Sequence, residues 1–244
     1  GSEMCIRDRK ASMSIRENIA EIRRQIDEAA RETGRTGADI TLVGASKMND
    51  AAACQEAIAA GIDVLGENRV QEMVAKLAEN AYDGAPLHFI GHLQRNKVKQ
   101  VVGKAALIQS AGSVELLDEI EKQAEKMGVV QNILFEVNIG AEESKSGFTK
   151  EEAAALAARM REFPHVALKG LMAIPPVSEF PGENCRYFAE MRNLFVDIKA
   201  KKYDNVSMEC LSMGMSDDFA DAIAEGSTMV RIGTAIFGKR NYNI

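Results

Sequence analysis

The chain has 244 residues, 46% of them hydrophobic, and a formal net charge of -6 at pH 7. Its length fits either two small domains or one large α/β barrel, and composition alone does not choose between them. The acidic balance disfavours binding to nucleic acid or to an anionic membrane, because both require a basic field. No apolar run reaches the roughly 18 residues that span a bilayer. We therefore expect a cytoplasmic protein whose partner is a small molecule or another protein.

The cysteines and histidines are scattered and show no metal-binding pattern. The four cysteines form no CxxC pair, and the three histidines form no HExxH motif. We therefore expect a reduced protein without structural zinc, and we predict no metal site.

After a leading helix at about residues 14–33, short apolar runs rich in β-formers alternate with longer segments of helical periodicity. The predicted strands are residues 40–45, 62–65, 87–90, 106–109, 132–139, 167–174, 207–211 and 229–232. The predicted helices include residues 50–60, 69–80, 113–127, 150–162 and 184–202. Because the intervening helices impose parallel crossovers, the candidates are a closed barrel and an open doubly wound sheet. Eight repeats in about 230 residues favour a single (β/α)8 TIM-type barrel with an extra N-terminal helix.

The domain organisation follows from the absence of linkers. No proline- or glycine-rich linker divides the chain, so we expect residues 13–244 to form one domain. Residues 1–12 look like a vector-derived or leader segment and are expected to be disordered. No C-terminal β-domain is expected after the last predicted strand. The sequence has no Walker motif, no GxGxxG after a strand and no GxSxG elbow, which disfavours nucleotide binding and serine hydrolysis.

A lysine follows the first predicted strand, in the segment Gly44-Ala45-Ser46-Lys47. The C-terminal ends of the strands carry the working residues in a (β/α)8 barrel. Partial desolvation at that position can make Lys47 a nucleophilic amine that forms a Schiff base. The alternative is a solvated lysine that leads into the helix at Asp50.

The ends of the seventh and eighth strands form a candidate phosphate site, since barrels commonly bind phosphate there. Gly233 lets backbone N–H groups approach an anion, and Thr234 can donate its hydroxyl. The segment LSMGMSDD, from Leu211, adds a Ser-Gly turn that leads into a helix. Ser212, Gly233 and Thr234 are the predicted phosphate contacts, whereas Ser216 is predicted to be a helix N-cap.

Arg231 interrupts the apolar eighth strand, where an arginine is costly unless it meets an acceptor. The pyridine nitrogen of pyridoxal 5′-phosphate (PLP) is one such acceptor. A guanidinium only donates, so it would keep that nitrogen unprotonated and weaken the ring as an electron sink. A salt bridge to an acidic neighbour is the alternative.

The sequence resembles the family of pyridoxal phosphate homeostasis proteins, relatives of the alanine racemase N-terminal barrel, from about Ile15 to Tyr242. The resemblance rests on a series of segments in order: VGASK ending at Lys47, GENRVQE from Gly66, HFIGHLQRNK from His88, SKSG through Gly147, GLMAIPP from Gly170, LSMGMSDD from Leu211 and VRIGTAIFG from Val230. It implies a PLP-binding barrel that acts in the intracellular homeostasis of PLP, the active form of vitamin B6.

The resemblance also implies roles for individual residues. Lys47 would carry PLP as a Schiff base, and Arg231 would face the pyridine nitrogen. The implied phosphate contacts are Ser212, Gly233 and Thr234. Asn68 and Met172 would line the pocket, and the soft side chain of Met213 is expected to pack over the ring.

The main alternative is a PLP-dependent amino-acid racemase with weak activity. Related racemases carry a second, β-rich domain that supplies a tyrosine base and closes the site across a dimer. Without such a domain, abstraction of an α-proton is expected to be poorly supported. We therefore expect a PLP carrier or regulator rather than an enzyme, with PLP-dependent apo-enzymes as candidate partners. A phosphosugar aldolase that uses Lys47 ranks third, because no acid/base pair is identified beside it.

Overall fold

The computed structural model describes residues 13–238, in which eight parallel strands pair in chain order and close into a barrel. The strands are β1 (Thr41–Ala45), β2 (Val64–Glu67), β3 (Leu87–Phe89), β4 (Leu107–Ala111), β5 (Gln131–Glu136), β6 (Val166–Met172), β7 (Val206–Ser212) and β8 (Met229–Ile232). Pairing of β8 with β1, in which Arg231 lies opposite Val43, closes the barrel. The predicted (β/α)8 barrel is thus confirmed. The leader predicted over residues 1–12 lies outside the described residues.

The helices occupy the connections between strands, as predicted. The α-helices are α1 (Ile15–Arg31), α2 (Ala51–Ala59), α3 (Val70–Ala78), α4 (Val114–Met127), α5 (Lys150–Ala157), α6 (Cys185–Lys201), α7 (Phe219–Ala224) and α8 (Thr234–Phe237). The helix α1 is the extra N-terminal one and contacts α7 and α8. After β3 the connection contains a 3₁₀ helix, Arg95–Gln100, in place of an α-helix. None of the helices between residues 13 and 238 is both long enough and apolar enough to cross a membrane.

Capping side chains fix where several helices begin. Asp50 accepts a hydrogen bond from the Ala53 N–H at 2.8 Å and starts α2 directly after the loop that carries Lys47. Ser113 caps α4 in the same way. A side-chain acceptor at the N-cap satisfies N–H groups that have no partner within the helix, which explains why the predicted and observed starts of these two helices agree closely. The predicted N-cap at Ser216 is wrong, because α7 begins at Phe219 with Asp218 at its N-cap.

The fifth strand is shorter than its apolar run predicted. It ends at Glu136, whereas the prediction extended it to residue 139. Beyond the strand, Val137 forms an isolated bridge with Phe148, and the Asn138 N–H donates to the Phe148 carbonyl at 2.9 Å. The chain therefore folds back on its own loop at the barrel mouth, because that loop satisfies backbone groups that a neighbouring strand would otherwise bond.

Apolar residues fill both sides of the barrel wall. One large cluster joins strand residues to helix residues outside the barrel. Two smaller clusters contain strand residues only, as expected for the barrel interior: Val43, Val64 and Met229 in one, and Leu107, Leu134 and Met172 in the other. Cys210 packs against both interior clusters.

Candidate functional site

Lys47 lies two residues beyond β1, at the C-terminal end of the barrel, and its side chain is half-buried. The preceding residue, Ser46, is fully buried, and its N–H donates to the Gly66 carbonyl at 3.0 Å. The following residue, Met48, has a φ of 64°, in the left-handed region that favours glycine. The structure thus places the amine-bearing residue at the mouth, in a segment with an unusual backbone conformation.

Arg231 is 3% exposed in β8, at the centre of a polar network inside the barrel. Its Nη1 donates to Ser212 Oγ at 2.5 Å, and its Nη2 donates to the Ala173 carbonyl at 3.0 Å. Burial lowers the pKa of Arg231 to about 10, against the opposing effects of the Glu136 and Asp218 carboxylates. The guanidinium therefore stays protonated at neutral pH, and these two bonds use only part of its N–H donors.

The network continues from Ser212 across the barrel to β3. Ser212 Oγ donates to Gln109 Oε1 at 2.6 Å, and Gln109 Nε2 lies 2.9 Å from His88 Nδ1. Because an amide nitrogen only donates, Nδ1 of His88 acts as the acceptor and carries no proton. Burial lowers the pKa of His88 to about 4, which agrees with a neutral ring.

Sequence reasoning did not single out Gln109 or His88 as members of a site. The available signal was a large polar residue in a short, fully buried strand, β4 for Gln109 and β3 for His88. Such residues are retained in cores where they find hydrogen-bond partners. Their partners, however, lie on other strands, 21 positions away between Gln109 and His88 and 103 positions away between Gln109 and Ser212.

The predicted phosphate contacts divide into two environments. Gly233 is the N-cap of α8, and a Cβ there would lie 3.4 Å from the Ala45 carbonyl oxygen. Thr234, the first residue of α8, is exposed. Ser212 is fully buried, and its hydroxyl is bonded to Arg231 and Gln109. The structure therefore brings Gly233, which precedes Thr234, beside the end of β1, and it brings Ser212 together with Arg231.

Asn68 lines a cavity of about 490 Å³ at the ends of β2, β3 and β5. A Cβ on Gly91 would come within 2.1 Å of the Asn68 carbonyl oxygen, so the close approach of these two segments requires glycine. Glu136 lines the same cavity, and burial raises the pKa of its carboxyl while Arg231 opposes that shift. The volume falls in the range of about 300–1,000 Å³ that is typical of small-molecule sites.

The two predicted methionines are both fully buried. Met172 belongs to the interior cluster with Leu107 and Leu134. Met213 belongs to the large cluster that joins strands and helices, and its N–H donates to the Met229 carbonyl at 3.1 Å. Contact of either side chain with a bound ring stays a prediction.

The residues gathered at this end of the barrel match the chemistry of PLP. Lys47 could supply an amine for an aldehyde, and Arg231 could supply a protonated donor for a ring nitrogen. Gly233 brings a backbone without a side chain to the start of α8, where N–H groups can meet a phosphate. When bound, PLP itself supplies the electron-withdrawing ring, and the chain supplies binding, orientation and charge.

Comparisons with known proteins identify the family of this chain. Residues 13–241 match the family model described as alanine racemase, N-terminal domain. The chain is 42% identical over 230 residues to the pyridoxal phosphate homeostasis protein of Aquifex aeolicus, covering 94% of this chain and 100% of that protein. Its identity to the Escherichia coli homeostasis protein is 41% over 233 residues, covering 94% and 98% of the two chains.

A solved structure extends the comparison to the fold. PipY from Synechococcus elongatus, with PLP bound, has a TM-score of 0.79 and 30% identity to this chain. The match covers 92% of this chain and 100% of PipY. Sequence and fold therefore agree over nearly the whole length, and the chain belongs to the family of pyridoxal phosphate homeostasis proteins.

Proposed function

We propose that this chain binds PLP as a Schiff base on Lys47 and serves the homeostasis of PLP in the cytoplasm. The observation that carries the proposal is the pairing of β1 with β8, in which Val43 lies opposite Arg231. This pairing puts the loop that carries the Lys47 amine beside the strand that carries the buried guanidinium, at the C-terminal end of the barrel. The structure of PipY with PLP bound, a relative of similar fold, supports the proposal that this chain binds PLP.

We further propose a role for each predicted site residue. Arg231 donates to the pyridine nitrogen, and Gly233 and Thr234 contact the phosphate. Asn68 lines the pocket from the position directly after β2, in keeping with its place beside the cavity. The bonds of Ser212 to Arg231 and Gln109 already use its hydroxyl proton, so they favour a role in holding the guanidinium over the predicted contact of this hydroxyl with the phosphate. Met172 would line the pocket, and Met213 would pack over the bound ring.

The charge of Arg231 argues for a binding protein without robust catalytic activity. A protonated guanidinium cannot accept a proton from the ring, so it favours an unprotonated pyridine nitrogen. A ring in that state stabilises negative charge on a bound amino acid poorly.

The rim of the mouth supports PLP-dependent apo-enzymes as partners. Several apolar side chains are exposed on the loops after β6 and β7, beside a cavity of about 570 Å³: Ile174, Val177, Phe180 and Met215. Val177 is 92% exposed. A contiguous patch of exposed apolar side chains marks a protein contact more often than a single exposed apolar residue does. The acidic net charge offers no support for nucleic acid as a partner.

A visible spectrum before and after borohydride reduction tests cofactor and linkage together. We expect the purified protein to absorb as a PLP Schiff base and to lose that absorbance on reduction. Peptide mapping should then find the phosphopyridoxyl group on Lys47. Labelling of a different lysine would overturn the assignment.

A further inference from the structure

The two peptide groups that flank Lys47 are both bonded by side chains of helix α3. The Ser46 carbonyl, which precedes Lys47, accepts from Lys76 Nζ at 2.8 Å. The Met48 N–H, which follows Lys47, donates to Glu72 Oε1 at 2.6 Å. Lys76 and Glu72 in turn form an ion pair at 2.9 Å, one helical turn apart. The two members of one ion pair on α3 therefore hydrogen-bond the backbone on both sides of Lys47.

The backbone at this point needs such support. Met48 is a residue with a side chain in the left-handed region, at a φ of 64°. This conformation costs free energy and persists only where the surrounding structure holds it. The bond from the Met48 N–H to a carboxylate is charge-assisted, and such bonds are among the stronger ones in proteins.

Glu67 anchors the ion pair to the barrel wall. Glu67 is fully buried at the end of β2, and its Oε1 accepts from Lys76 Nζ at 2.7 Å and from the Ser46 hydroxyl. Burial raises the pKa of Glu67, and Lys76 opposes that shift. For Lys76, burial would lower the pKa, but the attraction of Glu67 prevails and the net pKa is raised.

A buried ion pair of this kind is weak support for stability, because desolvation offsets much of the attraction. Packing of α3 against the barrel would not require a lysine that is only 6% exposed. The contacts of this cluster converge on the Ser46–Met48 backbone, which suggests that its role lies there.

We propose that Glu72 and Lys76 are positioning residues, which fix the backbone around Lys47 so that its amine is presented to the cofactor at the barrel mouth. The proposal rests on the proposed function of Lys47. It predicts that PLP retention depends on two side chains that act through the backbone of Lys47.

Glu72→Ala is the primary test, with Glu72→Gln as the conservative variant, because glutamine keeps an acceptor for the Met48 N–H. Glu28→Ala is the matched control, since it removes another Glu from an ion pair one helical turn apart, with Arg24 on α1. Lys76→Met removes the bond to the Ser46 carbonyl. Thermal unfolding identifies any variant that does not fold.

Two readouts are measured on the full-length protein. Amide hydrogen exchange at Met48, in the PLP-free protein, reports on the backbone without the cofactor. The equilibrium dissociation constant for PLP reports on the site. We expect Glu72→Ala to speed Met48 exchange and to weaken PLP binding, each by roughly tenfold. Glu72→Gln should keep both the Met48 exchange rate and the PLP affinity close to those of the wild type. Lys76→Met should weaken PLP binding. Glu28→Ala should match the wild type in both readouts.

Folded Glu72→Ala and Lys76→Met proteins that bind PLP as the wild type does would overturn the proposal. So would faster Met48 exchange without any loss of PLP binding, because the link between backbone and amine would then be absent. Failure of the proposed function looks different, since the wild-type protein itself would then show no borohydride-trapped PLP on Lys47.

Discussion

Arg231 donates a hydrogen bond to the Ser212 hydroxyl at 2.5 Å, and this contact joins β8 to β7 inside the barrel. The same hydroxyl donates to Gln109, so its proton and an acceptor lone pair are both in use. The guanidinium is thereby held in one orientation. A fixed orientation matters for recognising a ring nitrogen, because the strength of a hydrogen bond falls steeply with misalignment.

Replacement of Ser212 by Ala should therefore be costly. It leaves Arg231 Nη1 and Gln109 Oε1 without their partner in a buried site, which is expected to destabilise the protein by about 1–3 kcal/mol. PLP binding should weaken as well. Denaturant unfolding and PLP titration measure the two effects, with Ser207→Ala, an exposed position on β7, as the control. If the two variants had the same free energy of unfolding and the same PLP affinity, the Ser212 hydroxyl would not stabilise the network.

Lys47→Ala should remove the borohydride-trapped cofactor while leaving the fold intact. A half-buried side chain at the barrel mouth contributes little to the core, so the free energy of unfolding should change by less than about 0.5 kcal/mol. Circular dichroism with denaturant unfolding measures stability, and mass spectrometry after reduction measures trapping. Lys104→Ala, at an exposed position, is the control and should trap PLP normally. Unfolding of Lys47→Ala would instead indicate a structural role for the lysine.

Thr234→Ala should weaken PLP retention by about 1–3 kcal/mol, as expected for the loss of one hydrogen bond to a charged phosphate. Thr234→Ser keeps the hydroxyl and should retain most of the affinity. Equilibrium dialysis measures both variants against the wild type. Unchanged affinity in Thr234→Ala would move the phosphate site away from the start of α8.

Acid should destabilise the protein through His88. Its pKa is about 4 in the folded protein, against 6.5 as the ordinary value. Between these two pH values the unfolded chain binds a proton that the folded chain rejects, so protonation favours unfolding. The contribution of His88 is fully present above pH 6.5 and is lost as the pH falls to 4, by up to about 3 kcal/mol.

The free energy of unfolding, measured from neutral pH down to about pH 4, tests this expectation. His88→Gln removes the titration and keeps an acceptor for Gln109, so its stability should fall less steeply with acid. His92→Gln, at an exposed position, should follow the wild type. A His88→Gln variant with the same slope as the wild type would show that His88 does not titrate in this range.

The last prediction concerns turnover. Because Arg231 favours an unprotonated ring nitrogen, bound PLP should exchange with amino acids but catalyse their chemistry poorly. We would incubate the protein with L- and D-alanine in deuterated water and follow α-deuterium incorporation beside PLP transfer to an apo-enzyme. Slow incorporation with efficient transfer is expected. Rapid and complete α-proton exchange would establish a racemase.

The barrel and the place of Lys47 could be predicted from the sequence. Apolar runs of strand length that alternate with helical periods leave few possible architectures, and caps such as Asp50 mark the helix starts. Because strand ends share one rim in a parallel barrel, the position of Lys47 after the first run already placed it at the mouth. These inferences depend only on local order along the chain.

The partners of the interior side chains were decided only by the tertiary structure. Ser212 meets Gln109, a residue 103 positions away, because closure of the barrel brings β7 and β4 into reach across its interior. Lys76 meets the Ser46 carbonyl because α3 packs against β2, the strand that pairs with β1. Local periodicity reports which face of a strand is buried, whereas the side chain that a buried group meets depends on the register and closure of the whole sheet.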